Sequence, residues 1–165
     1  MSLDIDVDAT LEKMAGQLRP LLDSNPLMIG IHTGGVWLAE RLHKLLGLEE
    51  PLGTLDISFY RDDFTRIGLN PQVKASDLPF DMEDRHIILV DDVLHTGRTI
   101  RAALNEIFDY GRPSSIKLAV LINRGGHELP IQADVVGTEI ELKPGQQIKL
   151  TGPDTLALEI QETRQ

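Results

Sequence analysis

Asp91 and Asp92 stand side by side, directly after four aliphatics (Ile87, Ile88, Leu89, Val90) and directly before Val93-Leu94-His95-Thr96-Gly97-Arg98-Thr99. Paired carboxylates are acceptors, suited to sugar hydroxyls or to a divalent cation. The residues that follow suit an anion instead. Thr96 and Thr99 bring hydroxyl donors, Gly97 lets backbone amides approach, and a helix start adds partial positive charge. Each donor to a charged phosphate contributes about 1.5–3 kcal/mol, so several together hold a phosphate monoester. The acids would repel that phosphate, so the two groups must serve different parts of one ligand. A cation at one end, a phosphate at the other and vicinal diols between them describe a phosphorylated ribose.

Such a site needs elements that hold it. Ile87 to Val90 are too few for a helix and rich in β-branching, as a strand buried on both faces requires. After Gly97, the residues Ile100, Ala103, Leu104, Ile107 and Phe108 recur at helical spacing, and Gly111 with Pro113 closes the run. Strand, acid pair, small loop and helix start are the parts of a phosphate site at the carboxyl edge of an open parallel sheet. An aliphatic strand ending in Asp-Asp also occurs in P-loop NTPases, but that class needs a Gly-Lys dipeptide and this chain has none. A response-regulator acid pair would leave Thr96-Gly97-Arg98-Thr99 unexplained.

A second loop of the same kind lies upstream. Leu27-Met28-Ile29-Gly30-Ile31 reads as a strand, His32-Thr33-Gly34-Gly35 as a Gly-rich loop, and Val36, Leu38, Ala39, Leu42, Leu45 and Leu46 as a helix stripe. Two phosphate-competent loops at strand-to-helix junctions fit a ligand with phosphates at both ends. Trp37 reads as packing. Before these, residues 1–7 are expected to fray. A helix from Asp8, capped by that residue, should carry Leu11, Met14, Leu18, Leu21 and Leu22 on one face and stop before Pro26.

Downstream, 53–60 alternates as a strand, and 61–76 has neither helical nor strand periodicity. Residues 115–122 form a largely buried strand with Arg124 at its carboxyl end, 131–136 a short strand, and 147–150 with 156–160 a hairpin around Gly152-Pro153. The fold class is α/β: an open, mostly parallel Rossmann-like sheet with helices on both faces. At 165 residues one domain is expected, with a core over about 27–137 and a hood from about 1–26 and 138–165. Without cysteine there is no disulfide or thiolate chemistry. No apolar run nears the roughly 18 residues of a membrane span, and no basic-then-apolar leader is read, so a cytoplasmic setting without a membrane partner is expected. The net charge of −10 repels nucleic acid at long range. None of the five histidines is clustered as metal ligands are.

The segment Val90–Thr99 resembles the phosphoribosyl-pyrophosphate (PRPP) signature of type I phosphoribosyltransferases. Residues 111–121, Arg124-Gly125, Glu128-Leu129-Pro130-Ile131 and Tyr60-Arg61-Asp62-Asp63 are similar to one branch, the bifunctional pyrimidine-operon regulator and uracil phosphoribosyltransferase (PyrR) family. The resemblance runs from about 27 to 137. It implies transfer of a ribosyl group from PRPP to uracil, giving UMP and pyrophosphate, with regulation of pyrimidine genes beside it. Magnesium is implied, carried mainly by PRPP, with no protein metal site. Asp91 and Asp92 would hold the ribose hydroxyls, and Val93, Leu94, His95, Thr96, Gly97, Arg98 and Thr99 the 5′-phosphate. Thr33, Gly34, Gly35 and Arg61 would face pyrophosphate, Arg61 from a loop over the sugar, while Arg124 and, by position, Ile148 would lie at the substrate. The family often carries a basic residue where Gly34 stands, so a weaker grip on pyrophosphate is expected here. A homo-oligomer, dimer or larger, is implied. Direct RNA contact is not expected, because the first helix offers only Lys13 and Arg19, and Gly126 and Gln132 stand where relatives are basic. The alternatives are a nucleotide-sensing regulator with weak or no catalysis, and a purine phosphoribosyltransferase.

Overall fold

Period-two alternation in the central strand sorts its side chains between two cores. Ile87 and Leu89 face one way, with Leu27, Ile29, Leu118 and Val120 beside them. Ile88 and Val90 face the other, with Met28, Ala119 and Leu121. All of these are essentially inaccessible to solvent, which only a strand covered on both faces permits. The computed structural model describes residues 3–57 and 76–162. Its elements are α1 (Val7–Leu18), β1 (Leu27–Ile31), α2 (Gly34–Leu46), β2 (Gly53–Leu55), β3 (His86–Leu94), α3 (Arg98–Tyr110), β4 (Ser115–Asn123), β5 (Val135–Glu139), β6 (Gln146–Thr151) and β7 (Ala157–Glu162).

Five strands form one parallel sheet in the order β2-β1-β3-β4-β5. Helix α3 covers the Leu89 face through Ile100, Ala103 and Ile107. Helices α1 and α2 cover the Val90 face through Leu11, Met14, Leu38 and Leu42. The expected open parallel sheet with helices on both faces is therefore present. Its order reverses between β1 and β3, which makes the carboxyl ends of these two neighbours the switch point of the sheet.

The hairpin expected near the C-terminus is β6–β7, antiparallel with Ile148 opposite Ile160. Its inward residues Ile148, Leu150 and Leu158 join the core under α1 and α2. Trp37 packs against it: a Cβ built on Gly152 would lie 2.9 Å from the indole Cε3. One guanidinium gathers three distant pieces here. Arg41 on α2 donates to Asp8 Oδ1 at 2.8 Å and to the carbonyls of Pro153 and Asp154 at 3.0 and 2.9 Å.

Several boundaries differ from the sequence reading. Asp6, not Asp8, caps α1, its Oδ1 accepting from the Ala9 amide at 3.0 Å. Residues just before the helix do not fray, because Val7 is buried and the Leu3 amide donates to the Leu158 carbonyl at 3.0 Å. The helix ends at Leu18, and Arg19–Ser24 tightens into a 3-10 turn with Pro20 in its first turn. Strand β3 continues through the acid pair to Leu94, because β4 is long enough to keep pairing, Leu94 opposite Asn123. The strand expected at 131–136 begins only at Val135. On α3, Phe108 is 55% exposed and Ala102 is buried in its place. The strand at 53–60 is described only as far as Ile57, with β2 ending at Leu55, and the Arg61 loop lies outside the described residues. Among the described residues no helix is long and apolar enough to cross a membrane.

Candidate active site

Both Gly-rich loops open at the switch point. The first is His32-Thr33, between β1 and α2; the second is His95-Thr96-Gly97, between β3 and α3. The acid pair lies on the last turns of β3 between them. Val93 and Leu94, expected in the second loop, are strand residues instead. Leu94 is buried in the α3-side core and its carbonyl accepts from the Arg124 amide at 3.1 Å, so its side chain cannot meet a ligand.

Each acid is anchored by a backbone amide. Asp91 Oδ1 accepts from the Asp92 amide and Asp92 Oδ1 from the Val93 amide, both at 2.8 Å. Asp91 is 1% exposed and Asp92 half-buried. The first loop comes in against both. A Cβ on Gly35 would lie 2.6 Å from the Val90 carbonyl oxygen and 3.3 Å from Asp91 Oδ1. A Cβ on Gly34 would lie 2.5 Å from Asp92 Oδ2. A side chain at 35 would strike the β3 backbone and one at 34 would have to move the Asp92 carboxylate, so consecutive glycines let the two loops come together as they do here. Thr33 is exposed at the start of α2, its carbonyl accepting from the Val36 amide at 3.2 Å.

The second loop is braced from below by the segment after β4. The Thr96 carbonyl accepts from the amides of Glu128 and Leu129 at 2.9 and 3.2 Å. Gly97, in the left-handed region at φ 96°, has the side chains of Leu129 and Ile131 against it. Thr96 is buried, and its Oγ1 accepts from the Arg98 amide at 3.1 Å. That amide thus has an acceptor already, and an incoming phosphate would draw on the other donors of the loop. Thr99 is half-buried in the first turn of α3. Arg98, expected at the phosphate, pairs with Glu128 at 3.1 Å, and both side chains are more than half exposed. An exposed pair of this kind contributes about 0–1 kcal/mol. Glu128→Gln is accordingly expected to move Tm by less than about 3 °C in a thermal melt.

Arg124 extends the same edge at the end of β4 and donates to the Gln146 carbonyl at 3.4 Å, joining the site to the hairpin. Partial burial lowers its pKa from the ordinary arginine value, yet the guanidinium stays charged at neutral pH. Ile148 is 9% exposed with its side chain in the core, so only its main chain is placed to meet a ligand. Arg61 falls outside the described residues. Asp91, Asp92, Thr33, Gly34, Gly35 and the His95–Thr99 turn are thus brought together, with Arg124 at their margin.

Sequence reading missed two contributors on this edge. Asn123 Oδ1 accepts from the Gly125 amide and bonds His127 Nε2, at 3.3 and 3.0 Å, which shapes the Arg124 turn. Asp56, only 8% exposed just past β2, has the Ser76 hydroxyl on its amide at 3.2 Å. A polar residue at the end of an alternating strand was the available signal for Asp56; nothing local marked Asn123. Among the described residues no group of three or more His, Cys, Asp or Glu could hold a metal ion.

The family description "Phosphoribosyl transferase domain" matches residues 6–153. A protein of Nitrosococcus oceani named bifunctional protein PyrR is 59% identical over 165 residues, covering 96% of this chain and 93% of its own. The chain belongs to the PyrR family of phosphoribosyltransferases. A bifunctional protein PyrR of Pseudomonas paraeruginosa is 58% identical over 153 residues, covering 90% of each chain. Among solved structures, a purine phosphoribosyltransferase from Pyrococcus horikoshii superposes with a TM-score of 0.63 at 27% identity, covering 82% of this chain and 83% of its own. A hypoxanthine phosphoribosyltransferase from Staphylococcus aureus, 19% identical, shares the fold with a TM-score of 0.66 over 87% of this chain and 78% of its own. The fold and the phosphoribosyltransferase class follow from these matches together with the site geometry.

Proposed function

We propose that this phosphoribosyltransferase transfers the ribosyl group of PRPP to uracil, forming UMP and pyrophosphate, and that it also regulates pyrimidine genes. The observation that carries the reading is the acid pair set between two Gly-rich loops at the switch point, in a chain 59% identical to a bifunctional protein PyrR. One domain with a hood from both chain ends accounts for the placement of the hairpin beside the site.

In this reading N1 of uracil bonds to the anomeric carbon and releases its proton to water or the departing pyrophosphate, while the bond from that carbon to pyrophosphate breaks with its electron pair leaving on oxygen. Positive charge builds on the sugar and negative charge on the departing group. Asp91 and Asp92 accept from the ribose hydroxyls and stabilise the cation-like ring. His95, Thr96, Gly97 and Thr99 hold the 5′-phosphate on the α3 N-terminus. Thr33, Gly34 and Gly35 face pyrophosphate, and Arg61 is assigned there as well. Arg124 and the Ile148 main chain lie on the base side. Positioning of this kind accounts for much of the rate gain in such a displacement.

A magnesium ion suits the donor set. Two adjacent carboxylates, with no third ligand among the described residues, match an ion held mainly by substrate phosphates, and Asp91 and Asp92 are the residues that would meet it. When bound, it neutralises charge on the pyrophosphate. Regulation through a protein partner suits the chain better than direct RNA contact. Its net charge is −10, and Lys13, one of two basic residues on α1 and the turn after it, already donates to the Gly137 carbonyl at 2.9 Å.

The test is PRPP-dependent pyrophosphate release with uracil, hypoxanthine, guanine and xanthine in competition, with and without magnesium. Uracil is expected to support UMP formation only with magnesium, and to exceed each purine by on the order of a hundredfold in kcat/KM. A purine preferred over uracil would replace this reading with purine transfer, and no turnover with any base would leave a nucleotide sensor.

A further inference from the structure

The acids and the first loop are in closer contact than either role requires. Consecutive glycines take one acid each. Gly35 lies against the Asp91 Cα, where an added Cβ would come within 3.0 Å, and Gly34 lies against the Asp92 carboxyl group. The two contacts differ in kind. At Gly35 the nearest obstacle is backbone, the Val90 carbonyl oxygen at 2.6 Å, which cannot move without shifting β3. At Gly34 the three nearest atoms belong to one side chain: Asp92 Oδ2 at 2.5 Å, Cγ at 3.0 Å and Cβ at 3.2 Å. A substituent at position 34 therefore presses first on the Asp92 carboxylate, the movable end of a side chain.

Among the described residues that carboxylate has one hydrogen bond. Its Oδ1 accepts from the Val93 amide at 2.8 Å, so rotation about that bond is what a push on Oδ2 would produce. We propose that Gly34 is a positioning residue for Asp92: the notch left by its missing side chain seats the second oxygen of the acid, and the first loop sets the direction in which that acid faces the sugar. A loop that lacks a cationic side chain thus contributes by shape where charge would be expected. The bland alternative is that Gly34 serves only chain flexibility at the start of α2. Its φ does not require glycine, since it is not among the positive-φ glycines, and the three atoms nearest an added Cβ all belong to Asp92.

The inference rests on the phosphoribosyltransferase reading for what Asp92 does, but the contact itself is testable without it. Gly34→Ala, Asp92→Gly and the double variant are compared by thermal melting and by calorimetric titration with PRPP. Gly34→Ala alone is expected to lower Tm by roughly 2–10 °C, as an added methyl in a packed site does. It should also weaken PRPP binding by on the order of tenfold or more, the effect of a misplaced contact group. In the Asp92→Gly background, where the obstructing side chain is gone, the same change should move Tm by less than about 1 °C and affinity by less than about twofold. Equal losses in both backgrounds, or full PRPP affinity in Gly34→Ala, overturn the proposal. If the unsubstituted chain takes up no PRPP, the functional reading fails, and coupling in the melts still decides the contact.

Discussion

Asp91→Asn and Asp92→Asn each leave the fold intact and lower UMP formation by on the order of a hundredfold or more. The physical reason is separable from packing. Each carboxylate has one oxygen on a backbone amide at 2.8 Å, and an Asn carbonyl oxygen can keep that bond. What Asn removes is the negative charge, and with it both the acceptor for a ribose hydroxyl and the attraction to a ring gaining positive charge. A charge held in place before reaction acts at full strength in the transition state, because nothing has to reorganise. The check is initial-rate kinetics at saturating PRPP beside circular dichroism and melting of the same samples. Undiminished turnover in both variants would take the acids out of the chemistry.

Leu89→Ala gives the opposite pattern, with stability lost and chemistry kept. Leu89 is wholly buried at the middle of β3, between Ile29 of β1 and Leu118 of β4 and under α3. Truncating a leucine in such a place costs about 2–5 kcal/mol, since a close-packed interior collapses only in part around the void. Set against a total of about 5–15 kcal/mol, that is a large share. In urea the midpoint is expected to fall with little change in slope, while kcat per folded molecule stays within about threefold of the unsubstituted chain. A midpoint shift smaller than the equivalent of about 1 kcal/mol would mean that α3 settles into the gap.

The contrast between Leu89 and the acid pair, two and three positions further along the same strand, shows what local sequence could and could not give. The alternation that buries Leu89 and Val90 on opposite faces was visible as an aliphatic run, and so was the strand-loop-helix order after it. The end of the strand was not. Pairing of Leu94 with Asn123 depends on the length of β4, more than twenty residues downstream, and no local pattern carries that information. The cap of α1 was misplaced by two residues because Asp6 and Asp8 are chemically equivalent, and only the path of the preceding chain, with Leu3 bound to Leu158, chooses between them. Phe108 fits a helical stripe by spacing, yet its side chain stays more than half in water. Candidate site residues could be named from the sequence because phosphate and sugar chemistry needs particular side chains in order. The contact between Gly34 and Asp92 was not, since fifty-eight positions separate them and a glycine announces only that something comes near.

Arg41 also bears on how such a chain can change over time. Its guanidinium holds Asp8 and the Pro153 and Asp154 carbonyls at once, so the β6–β7 hairpin is fastened to α1 and α2 by bonds that do not pass through β3. The hairpin's inward residues Ile148, Leu150 and Leu158 share a core with Val90 of β3, so change in the ribbon is freest at outward positions such as Lys149 and Glu159.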